Sequence, residues 1–254
     1  ADARGADFHE LWGKEARHYY VHGKDNIPFH TIILPSLLLG NGEGWHLPDQ
    51  IISSEYLTLE GRKISTSQNY AIWVKDLLDN YETDSIRYFF LTNGPEKKDA
   101  DFSWREYVHS HNGELLGAYG NFVNRSLTFI AKYFDRAVPA GKDNPDISEQ
   151  IDNLFVSVGR LLESGCFKDA LDKIFEFLRS ANKFFDAERP WITRNTDKPA
   201  CENTLYQCVQ IIANLAVLLS PFLPVSSEKV LTWLDRNHKW ERQSVPAGLL
   251  LPET

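Results

Sequence analysis

Near residue 103 the apolar pattern changes its period, and the change constrains the fold more than any other feature of the chain. Before it, strand-like and helix-like stretches alternate. His18 to His22 is aromatic and β-branched, as a strand requires, and Gly23-Lys24-Asp25 follows as a turn. Pro28 opens an apolar segment running to Leu39 and stopped by Gly40-Asn41-Gly42, which predicts a buried helix kinked or divided at Pro35. Ile51 to Leu59 is the next strand candidate, and 69–80 and 83–92 carry helical spacing. Strand, helix, strand in this order suggests part of a parallel sheet, with too few strands for an independent doubly wound domain. After 103 only helical periodicity remains, over 104–135, 148–163, 167–186, 201–220 and 225–237. Breaks at Pro139–Pro145, Ser164-Gly165, Arg189–Pro199 and Pro221–Pro224 separate these stretches, and helices with such short connections read as a bundle.

Bulk properties narrow the function. The net charge of −8 argues against a protein that coats nucleic acid by charge alone. It leaves open local reading of a few unpaired bases by stacking and hydrogen bonds. No apolar run approaches the roughly 20 residues that span a bilayer, and Ala1 to Lys14 is polar, so a cytoplasmic protein without membrane partners is expected. Cys166, Cys201 and Cys208 form no Cys-x-x-Cys pair and are expected to be buried or half-buried thiols, with no metal site. The chain does not begin with methionine, which suggests a fragment or a processed chain, and its lack of methionine elsewhere has no physical explanation.

Four stretches carry residues suited to chemistry. Lys63-Ile64-Ser65-Thr66-Ser67 follows Gly61, and a lysine with hydroxyls in a small loop can wrap phosphates; the same residues also suit an ordinary surface turn. Asp25 and Asn26 precede Pro28, where they either cap a helix or face a ligand. Asn121 and Arg125 lie four apart on one helix face, either as an exposed polar pair or as a reader of base edges. Trp191, set by Pro190, is either a plug for the bundle end or a stacking platform.

Taken together, in order, these stretches resemble the methionyl-tRNA synthetases, class I enzymes. Ser53 to Ser67 is similar to the family's strand and signature loop, typically Lys-Met-Ser-Lys-Ser, with Thr66 in place of the second lysine. His22-Gly23-Lys24-Asp25-Asn26-Ile27-Pro28-Phe29-His30 resembles its Gly-Lys-Asp segment, Tyr119 to Arg125 its base-reading helix, and Glu188-Arg189-Pro190-Trp191 its Pro-Trp motif. The resemblance implies catalytic roles for Lys63, Ser65 and Ser67 on the phosphates of ATP. It implies ATP or methionine contacts from Gly23, Asp25, Asn26, His30 and Leu57, and anticodon contacts from Asn121, Arg125 and Trp191.

The implied fold class is α/β then all-α: the C-terminal part of a Rossmann-like catalytic core over 1–103, followed by an anticodon-binding helical bundle over 104–254. The implied partners are tRNA(Met), methionine and ATP with Mg2+. The family's His-x-Gly-His motif and zinc-bearing insertion have no counterpart in these residues, so the chain alone is expected to be inactive and zinc is expected only in an N-terminal half outside it. A stand-alone, non-catalytic RNA-binding paralogue is the alternative. A complete small enzyme using Asp25, His30 and Lys63 is a further rival.

Overall fold

A computed structural model describes Gly5 and residues 7–252, and the chain divides into two compact units. One comprises residues 1–66 with 94–102; the other comprises 67–93 with 103–254.

The first unit opens with α1 (Phe8–Trp12), capped by the Asp7 side chain accepting from the His9 amide. Strands β1 (Tyr19–Gly23) and β2 (Gln50–Ser54) pair in parallel, Tyr19 opposite Gln50. Between them a 3-10 turn (Lys24–Asn26) leads into a π-helical segment (Phe29–Ile33) and then α2 (Leu34–Asn41). Pro35 sits where the π-helical segment passes into α2, and Gly42 ends the helix at φ 78°. The apolar segment 28–39 is helical without a break, passing from π to α spacing just before Pro35, and it is not buried: Ile32, Leu37 and Leu39 are each about two-thirds exposed. Apolar composition alone cannot say whether a partner surface lies against a helix.

The Ile51–Leu59 stretch is two strands rather than one. Glu55 and Tyr56 turn the chain out of β2 and into β3 (Leu57–Leu59), which belongs to a different sheet. There β3 pairs antiparallel with β4 (Arg62–Lys63) and parallel with β5 (Ala100–Phe102). The β3–β4 hairpin is closed by Glu60 (φ 47°) and Gly61 (φ 73°), both left-handed, the conformation of a two-residue hairpin that matches strand twist. β5 is three residues long, too short for its Ala-Asp-Phe alternation to stand out as a strand signal.

The second unit holds α3 (Val74–Asn80), shorter than the predicted 69–80, and α4 (Thr83–Asn93). Then come α5 (Trp104–Ser110), a π-helical segment (His111–Gly120), α6 (Asn121–Tyr133), α7 (Pro145–Glu163) and α8 (Phe167–Glu188). The last three helices are α9 (Pro190–Thr196), α10 (Lys198–Leu219) and α11 (Pro224–Trp233). Ser103 caps α5 by accepting from the Glu106 amide at 3.2 Å, the Ser-x-x-Glu start signal. The Arg189–Pro199 break contains a helix after all, because a proline at the first helical position starts α9 instead of preventing it.

Helix α10 is buried all round from Cys208 to Leu219, with Gln210 and Asn214 the polar residues among apolar ones, and is packed by α6, α7, α8, α9 and α11. Residues 67–93 group with the bundle because α4 fastens both ends of the α10–α11 turn. Arg87 donates to the Pro221 and Phe222 carbonyls at 2.7 and 2.8 Å, and Asp84 accepts from the Ser226 amide at 2.6 Å. The cysteines are thiols as expected: Cys201 and Cys208 are buried and Cys166 is partly buried. Burial pushes the Cys208 thiol up to about 12.

Candidate functional site

Two clusters emerge, one in each unit. In the first, the chain leaves β1 at Gly23 and turns so that Lys24 and Asp25 meet the segment between β2 and β3. Asp25 accepts a hydrogen bond from the Tyr56 hydroxyl at 2.5 Å. Lys24 pairs with Glu55 and, at 3.1 Å, with Asp99, and its ammonium lies 4.1 Å from the Tyr56 ring centre. Hydrogen bonding to Glu55, then to Asp99, holds the Lys24 ammonium above its ordinary range. Asp99 also accepts from the Tyr56 amide at 2.9 Å, and that bond, with Lys24, holds its carboxyl below the usual range. Asp25 and Asn26 are exposed. No side chain caps the π-helical segment after them, so the cap role suggested for these two residues is absent.

Beneath this rim lies an aromatic row. The Tyr20 and His30 rings meet edge to face at 5.4 Å, and His30 and His22 at 4.6 Å. His22 Nε2 and His30 Nδ1 are buried with no hydrogen-bond partner. An unpaired buried imidazole nitrogen is costly, and a polar ligand group would satisfy it.

Lys63, Ser65 and Ser67 lie along and beyond β4. Lys63 is exposed on the strand opposite Thr58, and Ser65 is half-buried. The boundary between the compact units falls between Thr66 and Ser67. β3 is the shared element: Tyr56, just before it, meets Asp25, while Leu57 and Thr58 lie in it, and Thr58 pairs with Lys63. Asp101 holds the hairpin by accepting from the Thr58 hydroxyl at 2.5 Å and the Gly61 amide at 2.8 Å. Lys24, Tyr56, Asp99 and Asp101 were absent from the sequence-derived set. Asp99 lies 75 residues beyond its partner Lys24, and no local spacing signals such a pair.

In the second unit, Asn121 and Arg125 occupy the first two turns of α6, directly after the π-helical segment, with Asn121 exposed. The Arg125 guanidinium pairs with Asp186 at 2.6 Å, covers the Phe185 ring at 4.5 Å and lies 5.9 Å from the Trp191 ring centre. Trp191 is 44% exposed, so it is no core plug. Its position follows from the turn between α8 and α9, where Arg189 takes a left-handed conformation (φ 46°, ψ 59°) and Pro190 is buried. The result is a half-exposed indole near a guanidinium, suited to stacking on a base and donating to its edge.

Comparison with known proteins bears on both clusters. The family described as tRNA synthetases class I (M) matches residues 1–127, half of the chain. The chain belongs to this family. The anticodon-binding domain of methionyl-tRNA ligase matches residues 136–252. A methionine–tRNA ligase of Alkaliphilus oremlandii is 54% identical over 250 residues, covering 98% of this chain and 46% of that protein. One from Bacillus cereus strain G9842 is 54% identical over 245 residues, covering 96% and 45%. The solved Mycobacterium tuberculosis methionyl-tRNA synthetase in complex with methionyl-adenylate superposes with a TM-score of 0.87 at 27% identity, covering 99% of this chain and 53% of that one. The synthetase chain therefore spans about half the length of the curated relatives it matches. Its fold class is the expected one, part of a class I Rossmann-like core followed by the helical anticodon-binding domain.

Proposed function

We propose that the chain is part of a methionine–tRNA ligase, supplying the ATP-loop side of the active site and the anticodon reader. The whole reaction joins the methionine carboxylate to the α-phosphorus of ATP with loss of pyrophosphate. A hydroxyl of tRNA(Met) then takes the methionyl group and AMP leaves. Residues 1–103 contribute to the catalytic core, and 104–254 read the anticodon. Lys63 contacts the phosphates of Mg2+-bound ATP, Ser65 and Ser67 shape the loop, and charge stabilisation at the α-phosphorus is its share of catalysis. Gly23, Asp25, Asn26, His30 and Leu57 line the nucleotide and amino-acid side; the bond from Tyr56 orients Asp25 for ribose hydroxyls. Thr66 in place of the usual second lysine leaves Lys63 as the cation of the Lys63–Ser67 loop. Zinc is assigned outside these residues, and the compartment is the cytoplasm.

The observation that carries the reading is the meeting of Arg125 and Trp191, 66 residues apart in sequence, around one half-exposed indole. The test is binding of a CAU anticodon stem-loop against a scrambled loop across a salt series. Preference for CAU with a shallow salt slope supports base reading by Asn121, Arg125 and Trp191. Equal, salt-sensitive binding to both loops overturns it. By itself the 254-residue chain is expected to give no ATP–pyrophosphate exchange, since His-x-Gly-His is not among its residues.

A further inference from the structure

Two cations of the second unit share one aromatic ring and have no anion. Tyr133, the last residue of α6, is 41% exposed. The Arg194 guanidinium, from α9, lies over its ring at 3.8 Å from the centre, and the Lys132 ammonium lies at 5.2 Å. Arg194, then Lys132, holds the Tyr133 hydroxyl below its ordinary range, so the local potential is positive. Phe129, one turn back on α6, supports the ring at 4.7 Å between centres.

The acids of this neighbourhood are engaged elsewhere or out of reach. Asp186 pairs with Arg125 at 2.6 Å and Glu202 with Lys198 at 3.6 Å, while Asp197 accepts from the Ala200 amide at 3.1 Å. Asp135 and Glu188 are exposed and lie beyond ion-pair distance of both cations. Among the described residues, neither Arg194 nor Lys132 has an ion-pair partner; Arg194 Nε donates to the Asn195 side-chain oxygen at 3.4 Å. A guanidinium held over a ring uses its face and keeps its terminal N–H groups, which suit a phosphate. In a chain of net charge −8, an RNA strand needs such a local foothold.

Its position is the second observation. Lys132 is seven residues beyond Arg125, hence two turns along the same face of α6, and Arg194 is one turn beyond Trp191 on α9. The pair of cations therefore sits about 10 Å along α6 from the base-reading residues.

We propose that Arg194 and Lys132 bind backbone phosphates of the same RNA loop whose base stacks on Trp191, with Tyr133 holding the guanidinium in place. This rests on the anticodon reading above and adds to it the contact that gives affinity without regard to sequence.

The CAU and scrambled stem-loops are titrated across salt into the unmodified chain, Arg194→Gln and Lys132→Gln, with the Tyr133 ring and Trp191 indole resonances followed by NMR. Each substitution should lower the slope of log affinity against log salt by about 0.7. Both loops should weaken by one common factor, about fivefold at 0.1 M salt. Arg194→Lys, which keeps the charge, should restore the slope. The Tyr133 ring should respond to both loops, and the Trp191 indole to CAU. An unchanged slope in one variant removes that cation from the contact; unchanged slopes in both, or weakening confined to CAU, overturn the phosphate site and leave base reading intact. Loss of the CAU preference with slopes that still fall refutes base reading alone. Failure of either loop to bind at all overturns both.

Discussion

Arg125 shows how much one side chain on α6 depends on residues far along the chain. Its guanidinium is fixed by Asp186 and lies over Phe185, both on α8, and only then is it held near Trp191. The indole itself is half-exposed and rests on Phe185 at 6.0 Å between ring centres. Stacking of a base on such a platform is worth about 1–3 kcal/mol, so Trp191→Ala should weaken binding of the CAU stem-loop roughly 5- to 150-fold. Because Trp191 contributes little to the core, the circular dichroism and unfolding midpoint of that variant should match the unmodified chain. Equal affinity in a fluorescence titration would remove the stacking role.

At the scale of elements, the C-terminal strap is held to α10 by two amides that act as a strand edge. Gln210 donates to the Val245 carbonyl and accepts from its amide, both at 2.8 Å. One turn on, Asn214 donates to the Gln243 carbonyl at 2.9 Å and accepts from its amide at 2.8 Å. Asn214→Leu would leave the buried Gln243 backbone groups unpaired, at a cost of about 3 kcal/mol. A lowered denaturation midpoint and early proteolysis within 237–252 are the expected readouts.

The turn between β2 and β3 depends on charge in the same way. Asp99 has its carboxyl held below the ordinary value near 3.8 by the Tyr56 amide and Lys24. A depressed folded value means the contribution is complete above the ordinary value and is lost as pH falls through the depressed one. The Tyr56 amide resonance should therefore move below pH 3.8 in the unmodified chain, and Asp99→Asn should abolish that step.

Over the whole molecule, the two units differ sharply in how much they bury. Among the described residues, the first unit contributes only Leu59 and Phe102 to the buried apolar set, while the second holds one continuous cluster built around α10. Apolar burial is the main stabilising term, so the units should not share one stability. Native-state hydrogen exchange is expected to show the amides of β1, β2 and β3 opening at much lower free energy than those of α8 and α10. Matching protection across both units would contradict this.

The helical half was legible in the sequence because α7, α8 and α10 carry their core on a repeating face or all round, and prolines and glycines mark their ends. The motif residues were legible too, since short stretches such as Gly23 to His30 and Pro190-Trp191 keep their local order whatever packs around them. Tertiary structure alone decided that Ile51–Leu59 serves two sheets, that residues 67–93 cluster with the bundle, and that 28–39 is exposed. It alone joined Asp99 to Lys24, Arg125 to Asp186 and Trp191, and Asp101 to the hairpin before Lys63. The reason is physical. Periodicity reports which face of an element avoids water, whereas the identity of the surface it meets is set by pairings between residues distant in the chain, and those leave no local pattern.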